Sequence, residues 1–272
     1  MSFWRKAIIA VCVVVLLVGF FDFGGETIDY FAQTFENDSN ADAVRAIKEE
    51  AAAQAAGQGG AQLPQGPIDG RLPVAEMLPE YKALYDLNPD IVGWLKVEDT
   101  RIDYPVMFHE GEGQYYLKRN FDGNYQFSGC LFLDERNRME PRSENLIIYG
   151  HNMNNGSMFH DLSKFKGRKF LDEHPYIYFD TLYRRETYQI IAVLQTRIPK
   201  SEEQTFRYYE FVGDGSESSF KAYIEDVKKR SVFDTGVEAA FGDRLLTLST
   251  CDYRKGVAES RLVVIAKLIS ST

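Results

Sequence analysis

The stretch LLTLSTCDYRKGVAESRLVVIAKLI, residues 245–269, decides how this chain is read. Two apolar runs, RLLTLST and RLVVIAKLI, flank the polar segment DYRKG, as two strands flank a turn. Paired antiparallel, they bring the last residue of the first run beside the first residue of the second, so that Cys251 and Arg261 become neighbours across the ladder. Cys251 stands at a strand end, where a reactive side chain is held rigidly and can still be reached.

Outward from this hairpin the pattern is mostly of strands. IVGWLKV (91–97), CLFLDE (130–135), NLIIYG (145–150), YIYFDT (176–181) and TYQIIAVLQTRI (187–198) are short runs rich in β-branched and aromatic residues, separated by turn residues. With no internal repeat, they predict a mainly β fold, a closed or nearly closed barrel with attached helices. One helix is expected in VAEMLPEYKALYDLN (74–88). Another follows GDGSES, where Phe220, Tyr223, Ile224 and Val227 fall on one helical face behind capping residues.

The chain of 272 residues is 44% hydrophobic, enough for one sizeable core with appendages. A formal net charge of −9 lacks the basic footprint that phosphate binding needs, so no nucleic-acid partner is expected. Residues 7–21, AIIAVCVVVLLVGFF, are apolar and follow Arg5 and Lys6, which predicts a membrane partner through an uncleaved N-terminal helix. The rival, a cleaved signal peptide, needs a small-x-small site that GFFDFGG does not offer. The expected organisation is a cytoplasmic N-terminus (1–6), a transmembrane anchor (7–23), a helical and flexible stalk (24–70) and a globular domain (71–272). The protein would sit in the cell membrane, single-pass, with its domain outside.

Of three cysteines, Cys12 falls in the apolar segment. Cys130 opens an apolar run and reads as a small buried hydrophobe, while Cys251 reads as a reactive thiol. A Cys130–Cys251 disulfide is the alternative. A thiol nucleophile needs a base or cationic partner. His151 follows the run NLIIY and Gly150, a strand-end placement like that of Cys251. His109 falls on a loop, and His160 and His174 read as solvated residues without obvious partners. No HExxH or paired CxxC occurs, so no metal and no cofactor is expected.

TLSTC with an arginine ten residues on, and NLIIYGHNM upstream, closely resemble the signature segments of sortases, in particular class B, membrane-anchored cysteine transpeptidases of Gram-positive bacteria. The resemblance covers residues 72–272, including NPDIVGWLKVEDTRIDYPVM, YYLKRNF and the helix around 218–230. It implies a sortase-like closed barrel of about eight strands, with an N-terminal helix and a helix before the penultimate strand. It implies Cys251 as nucleophile, His151 as general acid and base, and Arg261 as the group that orients substrate and stabilises the oxyanion. Leu117 and Ser249 match positions lining the substrate groove, walled by Tyr208 or Tyr209. The implied reaction cleaves a sorting-signal peptide after Thr through a thioester and transfers the surface protein to a peptidoglycan precursor amine.

A pilin-polymerising sortase and a non-enzymatic surface binding module are the alternatives. A papain-like protease fits poorly, because there Cys precedes His and opens a helix. The compact SHGC-type cluster of L,D-transpeptidases is absent.

Overall fold

The computed structural model describes residues 40–57, 76–253 and 256–272. Eight strands form a closed barrel: β1 (Ile91–Lys96), β2 (Asp103–Met107), β3 (Leu131–Leu133), β4 (Asn145–Tyr149), β5 (Tyr176–Thr181), β6 (Glu186–Arg197), β7 (Leu245–Cys251) and β8 (Ser260–Ser271). Their order around the barrel is β1-β2-β3-β4-β7-β8-β6-β5. Closure leaves no strand edge exposed to pair with another chain.

Alternation along the strands explains the apolar runs. Leu262, Val264 and Ala266 of β8, with Leu246 and Leu248 of β7, join residues from all eight strands in one interior cluster. Val263, Ile265 and Leu245 point the other way and pack with Phe220, Tyr223, Ile224 and Val227 of α4 (Glu217–Arg230). β8 is thus buried on both faces, which is why its sequence is continuously apolar rather than alternating. Each such aliphatic side chain contributes about 1.5–3 kcal/mol on burial. In β6 a register shift between Ile190 and Ala192 changes the parity, so that Ile190 and Val193 both reach the interior.

Helix α4 starts where Ser216 accepts a hydrogen bond from the Ser219 amide. Glu217 in its first turn and Lys228, Lys229 and Arg230 in its last complement the helix dipole. The short helix α3 (Arg168–Glu173) precedes β5, and α4 lies between β6 and β7, as expected of the helix before the penultimate strand. The N-terminal helix α2 (Pro79–Leu87) is shorter than the expected 74–88, with Pro79 in its first turn and Tyr81 and Leu84 buried.

Strand β2, DYPVM, escaped the sequence reading because it contains a proline, which cannot donate to a ladder. Here β2 pairs with β3 only from Val106 onward, so the missing N–H of Pro105 interrupts no rung of that pair.

The expectation of an N-terminal transmembrane helix, and with it of a single-pass membrane protein partnered with the bilayer, is corrected. No helix among the described residues is long and apolar enough to cross a membrane. The stretch 7–23 that carried the expectation lies outside the described residues. Helix α1 (40–57) carries Asp42, Arg45, Lys48, Glu49 and Glu50, a pattern incompatible with hydrocarbon. Residues 40–57, read as part of a stalk, instead dock on the barrel. Val44 is buried beside Ile91 and Trp94, Lys48 sits 4.0 Å above the Trp94 ring, and Arg45 Nη2 donates to the Asp103 carbonyl at 3.0 Å.

Candidate active site

The parallel pair β4–β7 positions the chemistry. Its register runs from Asn145↔Leu245 to Tyr149↔Ser249, so both strands end at the same barrel edge and hand on to Gly150-His151 and Thr250-Cys251 at the same level. The two ends are stitched together. The Gly150 amide donates to the Ser249 carbonyl (3.3 Å), Thr250 Oγ1 donates to the Gly150 carbonyl (2.8 Å), and Asn152 Nδ2 donates to the Cys251 carbonyl (2.9 Å). Gly150 serves close packing: a Cβ there would lie 2.4 Å from Leu131 Cδ2 and 2.8 Å from the Phe159 ring.

The antiparallel pair β7–β8 places Cys251 directly opposite Arg261, as the hairpin predicts. The Arg261 guanidinium, half-buried, holds Glu259 Oε2 and the Ser260 carbonyl, both at 3.1 Å. Glu259 itself has φ 51, a left-handed conformation that costs a non-glycine residue about 1–2 kcal/mol.

His151 Nε2 lies 2.9 Å from the carbonyl of Leu117, in the short 3-10 helix Tyr115–Lys118. A carbonyl only accepts, so Nε2 carries the proton and Nδ1 holds the lone pair. Burial lowers the His151 pKa from its ordinary value; the Leu117 carbonyl works against this and the Lys118 charge works with it. The resting imidazole is therefore neutral.

These residues line one groove of about 520 Å³. All six positions singled out from the sequence open onto it: His151, Cys251, Arg261, Leu117, Tyr209 and Ser249. Ser249 forms its floor, nearly inaccessible, its hydroxyl 2.7 Å from that of buried Tyr208. Tyr209 stands edge-on to Tyr208 and walls the groove. Both tyrosines named as alternatives thus contribute, one as support and one as surface.

The sequence reading missed Asp134 and Tyr149, which close one side of the groove. The Tyr149 hydroxyl donates to Asp134 Oδ2 (2.8 Å) and Arg136 clamps both Asp134 oxygens. Burial tends to raise the Asp134 carboxyl, but the Arg136 and Tyr149 hydrogen bonds win and hold it below the usual carboxylate range. Tyr149 was visible only as the last aromatic of an apolar run.

The remaining histidines are engaged, contrary to the reading of His160 and His174 as solvated. His160 Nδ1 lies 3.0 Å from Asn152 Oδ1, and His174 packs on Phe170 and faces Asp99. His109 bonds Asp90 (2.7 Å) and stacks on Tyr115. Cys130 and Cys251 are free thiols. Cys130 borders a pocket of only about 30 Å³ under α1, and burial, assisted by Asp122, pushes its thiol up to about 12. That thiol is inert.

A thiol, an imidazole and a guanidinium around one groove at the edge of a closed barrel are the equipment of a cysteine-dependent acyl-transfer enzyme. Residues 95–269 match the sortase domain family. Sortase B of Listeria monocytogenes is 37% identical over 72% of this chain and 76% of its own length. Among solved structures, sortase B of Bacillus anthracis in complex with AAEK1 has a TM-score of 0.67 at 30% identity, covering 88% of this chain and 99% of that one. The Staphylococcus aureus sortase B–substrate complex superposes with a TM-score of 0.71 over 88% and 99%; at 23% identity it speaks for the fold. The chain belongs to the sortase family, in its class B branch, and is a cysteine transpeptidase of that type.

Proposed function

We propose that Cys251 is the nucleophile of this transpeptidase, His151 its general acid and base, and Arg261 its oxyanion partner, within a catalytic domain of residues 71–272. The observation that carries the reading is the double register: β7–β8 sets Cys251 opposite Arg261, and β4–β7 sets His151 level with Cys251.

The substrate is a sorting-signal peptide lying along the groove, in keeping with the solved substrate complex of the Staphylococcus aureus enzyme. Nδ1 of neutral His151 takes the proton of the Cys251 thiol, the thiolate so formed attacks the carbonyl carbon of the threonine, and the carbonyl oxygen becomes an anion facing Arg261, which exchanges Glu259 for it. His151, protonated at Nδ1, passes that proton to the leaving amine as the C–N bond breaks, leaving a thioester on Cys251. A peptidoglycan precursor amine then attacks the thioester, Nδ1 takes a proton from it, and the thiolate departs as the new amide forms. The product is a surface protein joined to the cell wall.

Trapping tests this directly. Incubation with a peptide library followed by mass spectrometry should find the acyl group on Cys251, carrying the residues before the scissile bond. Cys251→Ala should abolish both adduct and turnover while the fold persists; an adduct elsewhere, or an active variant, would overturn the reading.

A further inference from the structure

Phe127 is a large apolar ring that stays 42% exposed, and the barrel core does not use it. It stacks nearly parallel on His151, ring centroids 6.0 Å apart and planes 11° apart, within the range of offset aromatic pairs. Its loop is pinned to the 3-10 helix that bonds His151. The Gln126 amide donates to the Lys118 carbonyl (3.0 Å) and the Cys130 amide to the Tyr116 carbonyl (3.0 Å). Gly129, at φ 56, lies so close that a Cβ would sit 2.4 Å from the Leu117 oxygen, the atom that accepts from His151. One loop therefore both covers the imidazole and presses against its anchor.

We propose that Phe127 is a positioning residue: with the Leu117 carbonyl it holds His151 in one orientation and one tautomer, Nε2–H inward and Nδ1 toward the groove, and shields one ring face from water. The inference rests on His151 acting as acid and base, as proposed above. Removing the ring admits water to the imidazole and frees it to rotate, so the protonated form becomes easier to reach. The charged and titratable groups sharing the groove are Asp134, Glu135, Tyr149, Tyr208, Tyr209, Cys251 and Arg261. Asp134 is neutralised by Arg136 and Arg261 by Glu259. Lys118 stands beside the imidazole on the 3-10 helix, its Nζ 5.8 Å from the Phe127 ring centroid.

The test is NMR titration of His151 in the full chain labelled at the imidazole, alongside kcat and KM across pH. For Phe127→Ala the His151 midpoint should rise by about 0.5 pH unit or more as solvation is restored. The nitrogen shifts should lose the pure Nε2–H signature, and kcat should fall about three- to tenfold with KM within about twofold. Phe127→Tyr, which keeps the ring, should restore all three. Lys118→Met should also raise the midpoint, but through a charge effect that vanishes with added salt, whereas the Phe127→Ala effect should persist. An unchanged midpoint and tautomer in Phe127→Ala would overturn the proposal. Since NMR reads the imidazole without turnover, that result is distinct from failure of the catalytic assignment, which would show as full activity in His151→Ala.

Discussion

The side chain of Asn152 bridges the site: Nδ2 donates to the Cys251 carbonyl at 2.9 Å while Oδ1 accepts from His160 Nδ1 at 3.0 Å. Because a carbonyl only accepts, the amide orientation is settled, and with it the proton on His160 Nδ1. The residue after His151 thereby braces the strand end that carries Cys251.

Replacing Asn152 with alanine removes both bonds and leaves the Cys251 carbonyl unpaired. The variant should lose about 1–2 kcal/mol of stability by urea unfolding. Steady-state assays should show kcat falling about tenfold with KM little changed, because the thiol is misplaced rather than the peptide released. A rise in KM alone would mean that Asn152 touches substrate instead.

Arg261→Ala should lower kcat/KM by about 10²–10³, the usual loss on removing an oxyanion donor. Arg261→Lys should recover little, since an ammonium lacks the forked donors of a guanidinium. Equal activity of the lysine variant and the native enzyme would show that charge alone suffices.

The pH dependence of stability follows from His151, whose folded pKa is lowered chiefly by burial from the ordinary imidazole value of 6.5. Between the two values the unfolded chain binds more protons, so stability should decline as pH falls through 6.5 and level off below the folded midpoint. Urea titrations of the native protein and His151→Gln between pH 5 and 8 check this: the native curve should fall more on acidification. Parallel curves would place the buried imidazole in water.

Arg142 tests the far end of the barrel. It pairs with Glu186, 2.6 Å away and buried, whose Oε2 also accepts from the Tyr188 hydroxyl at 2.8 Å. Arg142→Met strands the carboxylate, at a cost of about 3–5 kcal/mol. Strand β4 lies between this pair and His151, so kcat at a temperature where the variant stays folded should match the native value. Near-native stability would mean that the Arg142–Glu186 pair does not hold this end of the barrel together.

The barrel was legible in the sequence wherever apolar runs were unbroken, as in β6, β7 and β8. Strand β2 was hidden by Pro105, and helix α1 by a composition rich in alanine and charge, which reads alike for a free stalk and for a helix docked through Val44 with Ala41 and Ile47 partly buried beside it. His160 looked solvated because its partner, Asn152, is reached only when the chain after β4 folds back, with Asn152 bridged to Met158.

The sequence by itself pointed to the hairpin of β7 and β8, because consecutive apolar runs joined by a polar segment pair antiparallel; with residues 252–259 between the strands, the register that sets Cys251 opposite Arg261 is held by the alternation that turns Leu262, Val264 and Ala266 into the barrel. It also determined the family, through TLSTC, the arginine ten residues on and YGHNM. Only the tertiary structure decided that His151 comes level with Cys251, that Nε2 rather than Nδ1 is tied down, and that Phe127 covers the ring. Those relations depend on the parallel pairing of β4 with β7, separated by β5, β6 and α4. A contact between strands so distant along the chain is selected by closure of the whole barrel around its core, not by any local pattern of residues.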